Sequence, residues 1–482
     1  DASIEWMKVI GRRDMTSLIS VGKNFLATLP IFMFGSDEQQ ALAAEILQRG
    51  DFISLALTEK LNGSDMLATQ TTATLKADGK WVINGEKWLI NNLCIASHAV
   101  VFARTNPQGG PFGFGFFFVE MNQDLDRSEK IKIHGVRGME MGAVTFKNYS
   151  PPNLSHFGER DGFNKALKLF QASRAMCSSL ALGSVETSLR LTSEFALKRA
   201  LYGKKLSDAP VMQYRLAESY ARYQAIELVG YFGARALSYL PAEMSVLSAF
   251  IKYYVPTQCE EVMKELSVSF GARHFMRQGW YEGFFQKALR DVAVVSLFDG
   301  STQVNLYIIA NQLAQLLGSK AELTQEEALK VTNALAVDQP STEPAYKDFQ
   351  LTNRGQNSLV STIGTTKFEY ADELRQVLRN LSQELAADSS EVSRFELSER
   401  YCRLMAAIVV ALGQHYHDHL SSDTFAFLMN LLLKDLGEKR PVGQHEKVFA
   451  ELCLKVETDR NLGLINYPVA PFFNAIKGMD FA

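Results

Sequence analysis

The stretch TTATLKADGKWVINGEKWLINN, residues 71–92, decides the fold class of this chain. It holds the β-type runs TATLKA and KWVINGEKWLI, and its ADGK and INGEK segments are typical of hairpin turns. Similar short runs surround it, namely DFISLAL, HAVVFART, FGFFFVEM and AVTFKNY. Together they predict an antiparallel β-barrel or sandwich over residues 51–152.

Helical patterns flank this β-region on both sides. Residues 1–50 read as helices, with Ser36 or Asp37 as an N-cap and Gly50 as a stop. From about residue 153 the pattern turns helical again, and long amphipathic segments up to residue 320 predict a four-helix bundle. Residues 321–482 hold a stretch rich in Pro, Ser, Thr and Asn, followed by a second set of helices. The predicted fold class is therefore mainly α with a central β-barrel domain and an extra C-terminal helical domain.

Composition and charge exclude several classes of function. The chain has 482 residues, of which 47% are hydrophobic and 21% charged, as in ordinary globular proteins. A net charge of -3 gives no electrostatic reason to expect a nucleic-acid partner. There is no βαβ pattern for a Rossmann site and no P-loop. Any cofactor is therefore expected at the junction of the β-domain and the bundle.

The expected location follows from the cysteines and the apolar runs. The five cysteines are scattered and lack CxxC spacing, which favours free thiols in a reducing compartment. The sequence has no uninterrupted apolar run of about twenty residues, so no membrane span is predicted. The opening DASIEWMKVIGRR also lacks the regions of a signal peptide. We therefore expect a location in the cytoplasm or the mitochondrial matrix.

The stretch SLFDGSTQV, from Ser296 to Val304, carries the main candidate for chemistry. Asp-Gly is common turn chemistry, and Ser or Thr is a preferred helix N-cap, so the stretch reads first as a turn before a helix. The alternative is that Asp299, set after an apolar run, is a catalytic base. These residues alone favour the structural interpretation.

Several motifs of this chain resemble motifs of the acyl-CoA dehydrogenase family and occur in the same order as in that family. LALTEKLNGSD and the following strand are similar to the loop and the "nGxKxxIxn" strand of the family's middle domain. SRAMCSSLALGSVETSLRLTSEFALKRALYGKKL and LRDVAVVSLFDGSTQVNLYIIANQL resemble two bundle motifs, the second of which carries "YEGT". The resemblance covers roughly residues 37–313. It implies a helical domain, a β-barrel and a four-helix bundle, with an N-terminal domain that is incomplete here.

The resemblance also implies FAD as the cofactor. By motif position, Leu57 and Thr58 would bond the pyrimidine edge of the flavin, and Ile90 and Asn91 would lie near N5. Arg199, Tyr202 and Gly271 would meet the FAD of a neighbouring subunit. Arg199 would lie on the pyrophosphate, for which the fork of an arginine is well suited.

The remaining site residues follow from the same motifs. Ser301 and Gln303 would contact the adenosine half of FAD. Ser64 would bond the pantetheine arm of the substrate, and Arg174 and Gly300 would lie beside the acyl thioester. Asp299 falls where the family carries its catalytic glutamate. The implied reaction is removal of an α-proton by Asp299 with hydride transfer to flavin N5, giving an α,β-unsaturated thioester.

Aspartate in place of glutamate leaves two further hypotheses open. One is an oxidase or monooxygenase of the nitroalkane-oxidase type, which shares the fold and uses an aspartate. The other is a flavoprotein kept as a non-catalytic assembly or partner-binding subunit. The resemblance implies an acyl-CoA or acyl-carrier-protein thioester as substrate, and an electron-transfer flavoprotein or oxygen as acceptor. The C-terminal helices resemble those of the very-long-chain type, which favours a homodimer.

Two smaller features favour structural roles. QHYHDHL is predicted to place His415 and His419 on one helix face, four residues apart, with His417 elsewhere. No further metal ligands are evident, so no metal site is predicted. The basic loop GEKRPVGQHEK reads as a solvated surface rather than a phosphate or carrier-protein contact.

Overall fold

The computed structural model describes residues 2–123, 125–152, 156–157, 161–318, 323–441 and 443–464. The chain divides into two compact units. The sheet unit is Thr16–Ser173, and the helical unit combines Asp1–Met15 with Arg174–Ala482. These units group the chain more coarsely than the four predicted domains, whose boundaries stay predictions.

The N-terminal residues form three helices, as the sequence predicts: α1 (Ala2–Arg13), α2 (Met15–Phe34) and α3 (Asp37–Gln48). Ser36 is the N-cap of α3, because its hydroxyl accepts from the N–H of Gln39 while the Gln39 side chain accepts from the N–H of Ser36. By length and composition α2 is apolar enough to cross a membrane, with a mean hydropathy of 1.4. Half of that window is buried within the protein, as in the core helix of a globular domain.

A mixed sheet forms the centre of the sheet unit. Its described strands are β1 (Ile53–Ala56), β2 (Thr72–Leu75), β3 (Trp81–Ile90), β4 (His98–Arg104), β5 (Phe114–Glu120), β6 (Asp126–Arg127), β7 (Gly142–Tyr149) and β8 (His156–Phe157). They pair in the order β6-β7-β3-β2-β4-β5-β8, and β1 pairs with β4 in parallel. The predicted fold class is confirmed. Within it, the pairings among the described strands make an open mixed sheet rather than a closed antiparallel barrel.

Both faces of the central strands are buried. Ala99, Val101 and Ala103 of β4 belong to one apolar cluster, whereas Val100 and Phe102 belong to another. Alternate residues of a strand point to opposite faces, so each cluster lies on its own side of the sheet. The second cluster also contains side chains of α2 and α3, which therefore cover that face.

The stretch that decides the fold class contains one hairpin turn, not two. ADGK turns between β2 and β3, with the Lys76 N–H donating to the Lys80 carbonyl at 2.8 Å. INGEK was predicted as a second turn, but it lies inside the continuous strand β3. The register shifts near Gly85, whose φ is +137°, and a Cβ there would lie 2.6 Å from Thr71 Cα. This glycine marks a β-bulge at a close backbone approach.

The second segment of the helical unit begins at Arg174, inside α4 (Gly162–Cys177). The first predicted long helix is interrupted by a 3₁₀ turn at Ser178–Ala181 and continues as α5 (Leu182–Lys198). A short hairpin, β9 (Ala200–Leu201) and β10 (Lys204–Lys205), follows. The bundle is completed by α6 (Pro210–Tyr239), α7 (Met244–Phe270), α8 (Phe284–Val292) and α9 (Thr302–Ala310).

The predicted C-terminal helices are present. They are α10 (Leu313–Gly318), α11 (Gln325–Leu335), α12 (Ser358–Thr365), α13 (Ala371–Ala387), α14 (Glu391–His417), α15 (Ser422–Asp435) and α16 (His445–Glu457). Arg222 of α6 holds Asp435 of α15 through two hydrogen bonds of 2.6 and 3.1 Å. Tyr220 of α6 donates to Glu451 of α16 at 2.7 Å. These polar contacts fix the extension against the bundle.

Buried ion pairs attach α1 to the helical unit. Lys8, which is fully buried, bonds Glu227 of α6, and Arg12 bonds Glu186 of α5 at 2.9 Å. All five cysteines lie within the described ranges, and none forms a disulfide, as expected for a reducing compartment.

The histidines of QHYHDHL lie differently from the prediction. Helix α14 ends at His417, and Asp418 is left-handed, so His415 and His419 do not share a helix face. Instead His417 and His419 stack, with ring centroids 5.4 Å apart. They donate to the carbonyls of Thr332 and Leu335 at the end of α11. Across the described ranges, no group of three or more His, Cys, Asp or Glu residues could hold a metal ion.

Candidate active site

A buried ion pair closes the loop between β1 and β2 in the sheet unit. The Glu59 carboxylate accepts from the Gln70 N–H at 2.7 Å, from the Thr71 N–H at 2.9 Å and from Lys87 Nζ at 2.9 Å. Burial alone would raise the pKa of Glu59, but Lys87 and the N–H of Gln70 lower it to about 2. Burial lowers the pKa of Lys87 to about 8, against the attraction of Glu59. The Glu59 carboxylate, at the start of the loop, therefore binds both the end of the loop at Gln70 and Thr71 and Lys87 of β3.

Leu57 and Thr58 lie beside β3 near this ion pair. Lys87 Nζ also donates to the Leu57 carbonyl at 2.9 Å. The Thr58 hydroxyl donates to the Trp88 carbonyl at 2.7 Å, and the Trp88 N–H donates to the Thr58 carbonyl at 3.0 Å. Both carbonyls are thus engaged with β3, so contact with a polar cofactor edge here would use the N–H groups of Leu57 and Thr58.

Strand β3 ends in an unusual backbone conformation next to Ile90 and Asn91. Leu89 and Asn92 have φ values of 60° and 58°, in the left-handed region that non-glycine residues seldom adopt. The Asn91 carbonyl accepts from the Ser54 hydroxyl at 2.8 Å, and the buried Asn92 side chain bonds Ser20. Such strain is retained where surrounding contacts fix it, and it is common at functional sites.

Ser64 lies at the exposed tip of the Glu59 loop. The next residue, Asp65, accepts from the Ala68 N–H at 3.2 Å and caps a 3₁₀ turn. Arg104 of β4 bonds the carbonyls of Leu67 and Thr69. Hydrogen bonds of Asp65 and Arg104 thus stabilise the residues next to the loop tip, while Ser64 remains exposed.

In the helical unit, Asp299 lies in a left-handed turn together with Gly300. Their φ values are 54° and 91°. Arg174 is buried and donates from Nε to the Asp299 carbonyl at 2.9 Å. A Cβ at Gly300 would lie 2.9 Å from Arg174 Nη2, so the turn has no room for a larger residue there. The structure thus brings Arg174, Asp299 and Gly300 together.

The buried guanidinium of Arg174 keeps its charge at neutral pH. Burial lowers the pKa of Arg174 to about 10, although the nearby carboxylate of Asp299 opposes this shift. The positive charge of Arg174 therefore lies next to Asp299, whose carboxylate is the candidate base.

Ser301 is the N-cap of α9, with its hydroxyl accepting from the Val304 N–H at 3.5 Å. The structural interpretation of SLFDGSTQV is therefore confirmed. It is compatible with the catalytic interpretation, because the cap uses the hydroxyl of Ser301 and not the carboxylate of Asp299. Gln303 is exposed on the first turn of α9. Ser301 and Gln303 lie two and four residues after the candidate base in the sequence.

Arg199, Tyr202 and Gly271 occupy exposed positions of the helical unit. Arg199 ends α5, and Tyr202 is 97% exposed at the tip of the β9–β10 hairpin. Gly271 has a φ of 67° at the end of α7, and a Cβ placed there would meet nothing within 4 Å. An accessible guanidinium and an open, left-handed glycine fit a cofactor that carries a pyrophosphate and approaches the backbone closely.

The sequence analysis missed four residues with contacts near the candidate residues. Glu59 and Lys87 form the buried ion pair, Lys252 bonds the Val295 carbonyl, and Asn305 donates to the carbonyls of Gly300 and Ser301. Glu59 and Lys87 are charged residues in otherwise apolar β-type segments, which was a usable signal for a buried pair. Lys252 and Asn305 lie in helices, and nothing in their neighbourhood of sequence indicates what they bond.

Comparison with known proteins gives the family. Residues 54–149 match the model of the acyl-CoA dehydrogenase middle domain, and residues 160–314 match that of the acyl-CoA dehydrogenase C-terminal domain. The human mitochondrial short-chain specific acyl-CoA dehydrogenase is 31% identical over 311 residues, which are 62% of this chain and 72% of that protein. An acyl-CoA dehydrogenase of Bacillus subtilis is 28% identical over 297 residues, 61% of this chain and 76% of the relative.

A solved structure shows the same fold. The butyryl-CoA dehydrogenase of Megasphaera elsdenii superposes with a TM-score of 0.61 at 23% sequence identity, covering 64% of this chain and 81% of that one. The chain belongs to the acyl-CoA dehydrogenase family. It is an FAD-dependent oxidoreductase of the acyl-CoA dehydrogenase type, and the cofactor predicted from the sequence is confirmed at this level.

Proposed function

We propose that this protein dehydrogenates an acyl thioester to its α,β-unsaturated product, with Asp299 as the base that removes the α-proton. The observation that carries the proposal is the Asp299–Gly300 turn, held by the buried Arg174 in a member of this family. The roles of the individual site residues are part of the proposal.

The chain's own residues would perform three tasks. The Asp299 carboxylate takes the α-proton, while the electron pair of that C–H bond becomes part of the new double bond. The backbone N–H of Asp299 donates to the thioester carbonyl and stabilises the enolate-like charge. Ser64 bonds the pantetheine arm and orients the substrate. FAD, when bound, would supply the hydride acceptor for the β-carbon of the substrate.

Nine residues are expected to contact the cofactor. Leu57, Thr58, Ile90 and Asn91 would lie along the flavin. The other expected contacts are with the pyrophosphate and the adenosine half, and they come from Arg199, Tyr202, Gly271, Ser301 and Gln303. Because the family resemblance assigns Arg199 and Tyr202 to the FAD of a neighbouring subunit, we propose a homodimer.

The finer parts of the proposal concern partners and location. The thioester is carried by CoA or by an acyl carrier protein, as in fatty acid metabolism, and the electrons pass to an electron-transfer flavoprotein or to oxygen. The location is the cytoplasm or the mitochondrial matrix.

The proposal is tested by anaerobic titration of the purified flavoprotein. Saturated acyl-CoA thioesters from four to sixteen carbons are added, and bleaching of the flavin absorbance is followed. We expect bleaching by at least one of them. Asp299→Asn should keep FAD bound but abolish bleaching, because an amide cannot accept the proton. Asp372→Asn, on the exposed face of α13, is the matched control and should bleach normally. Near-normal reduction of the Asp299→Asn variant would refute the base assignment.

A second candidate is an oxidase or monooxygenase of the nitroalkane-oxidase type. It is favoured by the aspartate at position 299, whose carboxylate is one methylene shorter than the glutamate expected there. A nitroalkane is added to the same titration. Bleaching by the nitroalkane alone would favour this function, and a flavin that no substrate bleaches would favour a non-catalytic partner-binding role.

A further inference from the structure

Several carbonyl groups of the turn that carries Asp299 accept hydrogen bonds. The Ser296 carbonyl accepts from the Thr302 N–H at 3.1 Å, and the Asp299 carbonyl accepts from Arg174. Asn305 Nδ2 donates to the carbonyls of Gly300 and Ser301, both at 2.9 Å. Gly300 adopts its positive φ without steric cost, but a positive φ is uncommon for a residue with a side chain such as Asp299, so contacts around the turn help to fix its conformation.

Lys252 of α7 supplies a further donor at the base of this turn. Its side chain is 1% exposed, and Nζ bonds the Val295 carbonyl, one residue before Ser296. The same ammonium group lies 4.9 Å from the centroid of the Phe298 ring, adjacent to Asp299. Lys252 therefore contacts the residues on the N-terminal side of the candidate base at two points.

A charged lysine is costly at a fully buried position, so its contacts need to compensate for lost hydration. The hydrogen bond of Lys252 to the Val295 carbonyl and its contact with the Phe298 ring offset this loss of hydration. Burial raises the pKa of Glu260, and the charge of Lys252 opposes part of that shift. Lys252 thus connects α7 to the N-terminal residues of the turn, as Arg174 connects α4 to Asp299.

We propose that Lys252 is a positioning residue for Asp299, acting through Val295 and Phe298 without touching the substrate. This inference rests on the proposed function, because it assigns Lys252 a role in proton removal by Asp299. Loss of the ammonium group removes the contacts that α7 makes with Val295 and Phe298, while the bonds of Arg174 and Asn305 to the C-terminal half of the turn remain. The carboxylate then shifts, and a misplacement of about 1 Å costs roughly 10²-fold in rate.

The test compares Lys252→Met with Lys455→Met in the FAD-loaded full chain. Lys455 is a suitable control because its ammonium group likewise contacts an oxygen and an aromatic ring: it lies 3.6 Å from the Glu451 carboxylate and 5.3 Å from the centroid of the Tyr220 ring. Flavin content, melting temperature and the anaerobic rate of flavin reduction are measured for each. The substrate is the acyl-CoA from the four-to-sixteen-carbon panel that reduces the unmodified protein fastest, used with α-hydrogens and with α-deuterium.

For Lys252→Met we expect full flavin content and a 10- to 100-fold slower reduction with a larger α-deuterium isotope effect. Lys252→Arg should recover most of the rate, because it restores a buried cationic donor. Lys455→Met should reduce at the unmodified rate. A merely structural lysine would change the melting temperature without changing the isotope effect, and that result would overturn the assignment.

Two further outcomes keep the inference separate from the proposed function. If Lys252→Met does not fold, Phe298→Leu removes the aromatic contact alone and should slow reduction with the same change of isotope effect. An unchanged rate in Phe298→Leu would then overturn the assignment. If no acyl-CoA reduces the unmodified protein, the proposed function fails, and the role of Lys252 falls with it.

Discussion

Replacing Glu59 with glutamine removes the charge that closes the loop between Leu57 and Thr71. The Glu59 side chain is 7% exposed, and its two oxygens accept from two backbone N–H groups and from the fully buried Lys87. A glutamine of the same shape keeps one acceptor oxygen, turns the other into a donor and leaves the ammonium of Lys87 without a counter-charge. The variant therefore tests whether this ion pair fixes the predicted flavin- and substrate-facing loop.

The size of the effect follows from the pKa of Glu59. A fall from the ordinary value of 4.5 to about 2 means that the folded protein favours the ionised form by about 3 kcal/mol. Breaking a buried pair by removing one partner costs about 3–5 kcal/mol, in agreement. Because the folded-state pKa is lowered, this stabilisation is fully present above pH 4.5 and is lost as the pH falls towards 2.

Hydrogen exchange of the segment 57–75 is the assay. The amides of Gln70 and Thr71 donate to Glu59, so we expect Glu59→Gln to exchange about 10²-fold faster there at pH 7. Glu45→Gln is the matched control in the same unit, since it breaks an exposed pair with Arg49 that is worth about 0–1 kcal/mol. Equal protection of the segment in both variants would refute the reasoning.

Two further substitutions test the packing of each unit. Gly85→Ala should destabilise the sheet unit by about 1–3 kcal/mol in urea unfolding, because the new Cβ would lie 2.6 Å from Thr71 Cα; wild-type stability would mean that the bulge is absent. Arg222→Lys should lose the two hydrogen bonds to Asp435 and lower the free energy of unfolding by about 1–2 kcal/mol. Arg215→Lys, at the more exposed pair with Glu265, is the control and should change the free energy of unfolding by less than about 0.5 kcal/mol.

The sequence predicted the elements of this fold better than their interruptions. Hydrophobic periodicity indicated the helices and most of the strands, because each has one period over its length. It did not indicate the break at Ser178–Ala181, where no proline or glycine signals the end of α4. It also misread Gly85 as a turn, because Asn-Gly favours both hairpin turns and the left-handed backbone of a bulge.

The candidate site was predictable where it follows local motifs. Asp299, Gly300 and Ser301 are adjacent in sequence, so the turn and the N-cap could be inferred together. The supports of that turn come from far along the chain: Arg174 lies 125 residues before Asp299, and Lys252 lies 43 residues before Val295. Which helix face meets a loop depends on the packing of the whole bundle, and a single sequence does not encode that in any local pattern.

The central claim is that the Asp299 carboxylate removes the α-proton of an acyl thioester. The most direct measurement is a crystal structure of the FAD-loaded protein with an unreactive acyl-CoA analogue bound. We predict an Asp299 carboxylate oxygen within about 3–3.5 Å of the α-carbon, with the thioester carbonyl facing the Asp299 N–H. A thioester seated with its α-carbon out of reach of Asp299, next to a different base, would contradict the account.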